Sequence, residues 1–311
     1  MATPDAIPVV AVVGATASGK TALSLDLAER LGGEIVNTDA MQVYRGMDVG
    51  TAKLPPDERR GIPHHLLDLM ELHEVASVAE FQRLARATIA DLRARGAVPV
   101  LVGGSALYTR AVLDQFEFPG ADDVVRRRLE AELDEVGPGA LHERLAGLDP
   151  EAAAAILPSN GRRVVRALEA IEVSGRPFSA TLPRLEYALD HAHQVGVRID
   201  RPTLDARIAR RVDLMWEHGF VDEVRRLLGA GLADARTAST AIGYREVMAH
   251  LRGELTDDEA RERTVVATRR FARRQEQWFS RDPRITWVDG DDPDRVDEAV
   301  AAVRQGAAPG W

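Results

Sequence analysis

Apolar residues in this chain first run unbroken and then fall into helical spacing. "VVAVVG", residues 9–14, carries no polar position, the pattern of a strand buried on both faces. "KTALSLDLAERLG" (20–32) follows, with Leu23, Leu27 and Leu31 on one helical face and Gly32 or Gly33 as its stop. "EIVNT" (34–38) predicts a second strand, "VASVAEFQRLARATIADLRARG" (75–96) a long amphipathic helix, and "AVPVLVGG" (97–104) a third strand. Strands without alternation, separated by helices, predict a parallel sheet covered on both faces.

The rhythm changes near "FEFPGADD". From about residue 120 to 190 the apolar spacing is helical throughout, with turns at Pro138, Pro150 and Pro158. "AHQVGVRI" (192–199) reads as a return to the sheet, followed by helical segments at 203–219, 220–231 and 258–279 and a strand at "ITWVDG". The expected fold is α/β, a P-loop NTPase-like parallel sheet core interrupted by a small helical insertion. Its parts are residues 1–119 as the first part of the core, 120–190 as the insertion, and 191–302 as the return to the core with a basic C-terminal helix. Residues 303–311 are expected to form a loose tail.

Composition changes this picture little, but charge does. The 311 residues are 45% hydrophobic and 29% charged, as in ordinary globular proteins, and contain no cysteine. Disulfides and thiolate metal sites are thereby excluded, and a cytoplasmic protein is expected. No stretch reaches the roughly 18–20 apolar residues of a membrane span, and the first helix carries charges and follows a glycine-rich loop, unlike a signal peptide. The net charge of -9 hides basic clusters at "RRVVR", "RRV" and "RRFARRQ", which matter more to a polyanion than the total does. Of 40 basic residues only Lys20 and Lys53 are lysines. That skew is read either as a trait of the coding genome or as a sign that both positions want a compact ammonium and not an arginine fork.

The first candidate chemistry is "GATASGKT" (14–21), which matches G-x-x-x-x-G-K-[ST] between a strand and a helix. Backbone N–H groups of residues 15–21 and the helix N-terminus can surround a di- or triphosphate, Lys20 reaches its oxygens, and the Thr21 hydroxyl can hold Mg²⁺. Phosphate binding follows; hydrolysis does not. A hydrolytic P-loop enzyme presents a magnesium-binding Asp at a strand end, whereas "VPVLV" ends in "GGSALY". The first carboxylate after a strand is Asp39, in "EIVNTDAMQVYRGMDVGTAK". It either accepts a proton from an incoming nucleophile or caps a helix begun by "AMQVYRG".

Five motifs in order, "GATASGKT", "NTDAMQVYRGMDVGTAK", "GIPHHLLD", "VGGSALY" and "AIGYREV", together with "ATRRFARRQEQWF", resemble the bacterial tRNA dimethylallyltransferases (tRNA isopentenyltransferases) over residues 9–290. The resemblance implies transfer of a dimethylallyl group from dimethylallyl diphosphate to N6 of adenosine 37 in tRNA, with release of diphosphate and use of Mg²⁺. It implies a monomer whose partners are tRNA and the prenyl donor, with no membrane.

Carried onto this chain, the resemblance makes Gly14, Ala15, Thr16, Ala17, Ser18, Gly19, Lys20 and Thr21 the diphosphate cradle, with Thr21 on the metal. Asp39 becomes the base and Lys20 the neutraliser of leaving-group charge. Ser105 stands where many members have Thr and would bridge donor and amine; a helix N-cap for "ALYTRAVL" is the other reading of it. Ala40, Met41 and Gln42 would touch RNA beside Asp39. Arg126, the segment Arg162, Arg163, Val164, Val165 and Arg166, and Arg270 with Arg274 would contact tRNA. Lys53 would neutralise RNA or diphosphate charge, and His64 and His65 would shape the RNA loop.

One position departs from the family pattern. Thr240, two residues before "IGY", stands where many members carry an arginine expected near the diphosphate; Arg245 is either its substitute, an RNA contact or a salt-bridge partner. Two other activities fit parts of the pattern: a P-loop small-molecule kinase, which lacks support from any strand-end carboxylate, and an adenylate isopentenyltransferase, which would need no RNA-binding insertion.

Overall fold

The computed structural model describes residues 4–118, 120–179 and 185–308. Six parallel strands form one sheet in the order β3-β2-β4-β1-β5-β6. They are β1 (Val9–Gly14), β2 (Gly33–Asn37), β3 (His64–His65), β4 (Val98–Val102), β5 (Ala192–Arg198) and β6 (Ile285–Asp289). β1 lies at the centre, with Val10 opposite Val100 on one side and opposite His193 on the other. All six of its residues are buried, which is why the segment has no polar alternation.

Alternate β1 side chains feed two cores. Val9, Ala11 and Val13 pack with Phe81, Ala85 and Ile89 of α2 (Val78–Ala94), with Val112 of α3 (Ala106–Leu113), with Phe220 of α8 (Phe220–Gly229) and with Tyr244 of α9 (Tyr244–Leu251). Val10 and Val12 pack with Leu23 and Leu27 of α1 (Lys20–Leu31) and with Val300 and Val303 of α11 (Arg295–Gly306). A period of two in the strand thus meets helices on both faces. Two more helices complete this part: α7 (Arg201–Glu217) and α10 (Asp257–Phe279), whose Leu204, Ile208 and Ala272 pack with Ala15 beneath the phosphate loop.

The chain divides into two compact units, one made of residues up to Leu113 and from Tyr187 onward, the other of Asp114–Glu186. The second is helical: α4 (Asp123–Leu148), α5 (Pro150–Ala155) and α6 (Gly161–Ser174) enclose Leu129, Leu141, Leu145, Val164, Val165 and Leu168. Gly137, at φ 81°, breaks the helical path of α4 just before Pro138, where a turn is expected.

The end of the chain differs from expectation. Helix α11 continues through Gly306 and Val303 is fully buried, so no loose tail begins at residue 303; residues 309–311 lie outside the described part. Its Ala299, Val300 and Val303 at helical spacing pack on the sheet face that α1 covers. The helix that one of the two readings of Asp39 called for is absent: residues 40–46 form turns and a single bridge from Tyr44 to Met70.

Candidate functional site

The C-terminal ends of parallel strands are where α/β sheets bind ligands, and three such ends converge here. β1 runs into the phosphate loop, β2 into the Asp39 loop and β4 into Gly103–Ser105. A cavity of about 380 Å³ opens between them, a size ordinary for a small-molecule site. Thr16, Asp39, Ala40, Met41 and Ser105 line it from the sheet side. Arg211, Val212 and Met215 of α7 and Thr268, Phe271 and Arg274 of α10 close it from the other, with Thr240 and Ile242 beside them.

Within the phosphate loop only Thr16 lines this cavity. Ala15 and Ser18 line a second cavity of about 260 Å³. The Thr16 amide, expected among the phosphate donors, donates instead to Gln275 Oε1 at 2.8 Å, which removes it from the cradle. Gly14, Ala17 and Gly19 have positive φ and curl the loop towards the first turn of α1. Lys20 is buried and donates from Nζ to Ala15 O at 2.5 Å. Burial and the nearby Arg211 cation push its ammonium down to about 7, against the opposing pull of Asp39.

Asp39 caps a turn and not a helix, and it lies at the cavity. Its Oδ1 accepts the Met41 N–H at 2.8 Å, a local turn cap, while the carboxylate borders the cavity. Ser105 Oγ accepts the Ala40 N–H at 3.2 Å, so the hydroxyl proton is left free to donate into the cavity. Its carbonyl accepts from Thr109 and starts α3.

Arg211 was not among the expected site residues. Its Nη1 donates to Thr16 Oγ1 at 3.3 Å, and burial lowers its pKa against the attraction of Asp39. The sequence does carry a trace of it: Leu204, Ile208, Val212 and Met215 mark the inward face of α7, and Arg211 sits on that face. Arg245 does not supply the arginine that position 240 lacks; it follows its salt-bridge reading. It points away, 69% exposed and paired with Glu246 at 2.9 Å, while Thr240 lines the cavity.

The loop from Asp39 to Lys53 is held from far along the chain. Buried Glu223 accepts the N–H groups of Asp48 (3.0 Å), Val49 (2.7 Å) and Gly50 (3.1 Å), and also the Tyr244 hydroxyl at 2.6 Å. Burial, reinforced by that carboxylate, pushes the Tyr244 phenol strongly up. A Cβ on Gly50 would stand 2.2 Å from the Phe220 ring, so only glycine lets the loop pack this close. Lys53 Nζ donates to Tyr44 O at 3.0 Å and to Asp48 and Asp68 at 2.6 Å each. Its three protons are thus committed within the protein. This corrects the expectation that Lys53 neutralises RNA or diphosphate.

Other expected contacts divide. The Gln42 side chain turns back to Thr51 O and Ala52 O, at 3.1 and 3.4 Å, and does not line the cavity. His64 bonds Ile62 O and His65 bonds Glu34 at the sheet edge, also off the cavity. Arg270 and Arg274 are exposed on α10, one helical turn apart, and Arg274 reaches the cavity. In the helical unit Arg162 and Arg163 are exposed, with no ion-pair partner among the described residues. Val164 and Val165 are 0% and 4% exposed in that unit's core; the helical period turns them inward, which corrects their expected place against RNA. Arg126 and Arg166 both bind fully buried Glu169, at 2.9 and 3.0 Å. A carboxylate so deep needs such partners.

Among the described residues no group of three or more His, Asp or Glu could hold a metal. Thr21, at the start of α1, offers one exposed hydroxyl. That donor set fits a Mg²⁺ carried mainly by phosphate oxygens and water. None of the described helices is long and apolar enough to cross a membrane.

Fold and site define a P-loop-type α/β protein in which Thr16 of the phosphate loop and half-buried Arg211 share one cavity with the Asp39 carboxylate. The IPP transferase family description matches residues 42–282. A tRNA dimethylallyltransferase of a Nocardioides species is 70% identical over 301 residues, covering 97% of each chain. One from Thermobifida fusca is 61% identical over 305 residues, covering 95% of this chain and 94% of its own. Two solved structures are similar in fold. The tRNA isopentenylpyrophosphate transferase of Bacillus halodurans has a TM-score of 0.70 at 41% identity, with 96% of this chain and 97% of that one covered. A eukaryotic dimethylallyltransferase acting on tRNA has a TM-score of 0.82 at 27% identity, with 95% and 77% covered. The chain belongs to the IPP transferase family.

Proposed function

We propose that this protein transfers the dimethylallyl group of dimethylallyl diphosphate to N6 of adenosine 37 in tRNA and releases diphosphate. The observation that carries this reading is the single cavity in which Thr16 and Arg211 face Asp39 and Ser105. Phosphate recognition and a proton acceptor share one space, and Val212, Met215, Ile242 and Phe271 give it an apolar wall. Relatives bearing the same activity in their names support it.

In this reading the diphosphate lies between the phosphate loop and Arg211, with the isoprenoid tail against the apolar wall. A new bond forms between adenine N6 and the allylic carbon as the carbon–oxygen bond to diphosphate breaks. The electron pair leaves with diphosphate, and the N6 proton passes to Asp39. Lys20 and Arg211 stabilise the charge that grows on the leaving group. The Ser105 hydroxyl orients the amine or the bridging oxygen. The Thr21 hydroxyl would help hold Mg²⁺, which would supply further charge neutralisation.

Arg162 and Arg163 on α6, and Arg270, Arg274 and half-exposed Trp278 on α10, offer phosphate contacts and a stacking face for RNA. The adenine must leave its stack to reach Asp39. A tRNA substrate implies a cytoplasmic site of action, and the protein is taken to act as a monomer. Mass spectrometry of tRNA after incubation with dimethylallyl diphosphate and Mg²⁺ tests the proposal. A gain of one dimethylallyl group confined to adenosine 37 is expected. Preferential binding of ATP with phosphoryl transfer, or prenylation of AMP in place of tRNA, would overturn it.

A further inference from the structure

Gln275 sits on α10, 4% exposed, among arginines that face solvent. Its amide makes two hydrogen bonds to two different strand ends. Oε1 accepts the Thr16 N–H at 2.8 Å, and Nε2 donates to Gly104 O at 2.8 Å. Thr16 opens the phosphate loop after β1, and Gly104 immediately precedes Ser105 after β4. Thr16 also receives Arg211 on its hydroxyl, and Ser105 receives the Ala40 N–H beside Asp39. One side chain therefore ties the phosphate side of the cavity to the carboxylate side.

We infer that Gln275 is a positioning residue that sets the distance between the prenyl donor and the Asp39–Ser105 pair. The inference rests on the reaction proposed above. The chemistry of the link is specific to an amide, which donates from one end and accepts at the other. A glutamate loses the donor to Gly104 and adds negative charge near a diphosphate; a leucine leaves the Thr16 amide and the Gly104 carbonyl unpaired. Space is equally specific. A Cβ on Gly104 would lie 2.2 Å from Gln275 Nε2, so the second glycine of "VGGS" is what admits the amide. Two residues 171 positions apart thus form one device.

A displacement on the order of 1 Å between reacting groups can cost about a hundredfold in rate. Gln275→Leu and Gly104→Ala should each lower single-turnover transfer, at saturating donor and tRNA, on the order of 10- to 100-fold. Equilibrium tRNA affinity should not change, because neither residue meets solvent-facing RNA contacts. The two changes break the same link, so the double variant should fall no further than the worse single one. A role confined to stability would lower the melting temperature and the active fraction, yet leave transfer per titrated active site at the wild-type rate. If Gln275→Leu fails to fold, Gly104→Ala and Gln275→Glu carry the same expectation. Wild-type rates per active site in the soluble variants, or losses that multiply in the double variant, would overturn the assignment. Absence of transfer by the wild-type protein would overturn the reaction itself, and this assignment with it.

Discussion

Lys20 and Lys53 are the chain's only lysines. Both are buried; Lys20 opens α1 directly after the phosphate loop, and Lys53 ends the loop that follows β2. Lys53 is surrounded by a carbonyl and two carboxylates that use all its protons. Lys20 has one carbonyl, a nearby cation and a pKa brought down to about 7. The first ammonium closes a loop; the second is held short of satisfaction, as a group that awaits an anion must be. Scarcity in the sequence marks both positions alike, and only their surroundings separate structure from chemistry.

The largest expected effect lies at Asp39, whose charge acts on Lys20 from a distance. Asp39→Asn keeps the turn cap, since Asn is a comparable cap, but removes the proton acceptor. Single-turnover prenylation should drop by about 10² to 10⁴, with tRNA binding unaffected. Near-wild-type transfer would take Asp39 out of the reaction and reduce it to a loop anchor like Asp48 and Asp68.

Lys20→Met should weaken donor binding by about ten- to a hundredfold, the worth of a charge-assisted hydrogen bond. It should not lower thermal stability, because the wild-type ammonium is already penalised by burial. The free-protein pKa of about 7 adds a pH dependence. A bound diphosphate raises that pKa, so binding above pH 7 takes up a proton, and affinity falls as pH rises from about 7 towards the raised value. Calorimetry in two buffers of different ionisation enthalpy reads the uptake. Equal uptake by wild type and Lys20→Met would show that Lys20 is not the group involved.

Lys53→Met should behave oppositely. Asp48 and Asp68 are part-exposed, at 56% and 39%, so the cost is less than for a fully buried pair: about 2 kcal/mol of stability, read as a lower denaturant midpoint. Donor affinity should stay unchanged. A loss of donor binding without loss of stability would return Lys53 to the phosphate site.

The smallest effect is expected on the helical unit. Arg162→Ala with Arg163→Ala should reduce the salt dependence of tRNA binding by about one to two units of slope. Arg126→Ala should instead lower stability, since it leaves Glu169 with less compensation. An altered salt slope from Arg126→Ala with unchanged stability would reverse that division.

Much of the site was legible because its parts are short and contiguous. "GATASGKT" spans one turn and one helix start, and Asp39 directly follows a strand, so their chemistry could be read within a few residues. Val164 and Val165 were misplaced by the same habit. Reading "RRVVR" as one basic segment ignores the helical period, which sends its arginines outward and its valines into the core. Gln42 was read beside Asp39 and proved to bond the far end of its own loop.

By itself the sequence determined the strand–loop–helix that opens the fold, the parallel sheet and the helical insertion. Apolar periodicity and backbone turn preferences act over roughly ten residues, within reach of such a reading. Tertiary structure alone decided that Arg211 faces Thr16 across 195 positions, that Glu223 holds Gly50 across 173, and that Gln275 takes the Thr16 amide across 259. Each is a polar side chain on an inward helix face, and its purpose is set by whichever polar group the packing brings opposite it. Burial makes such a group costly to leave unpaired, so the fold, and not the neighbouring sequence, chooses the partner.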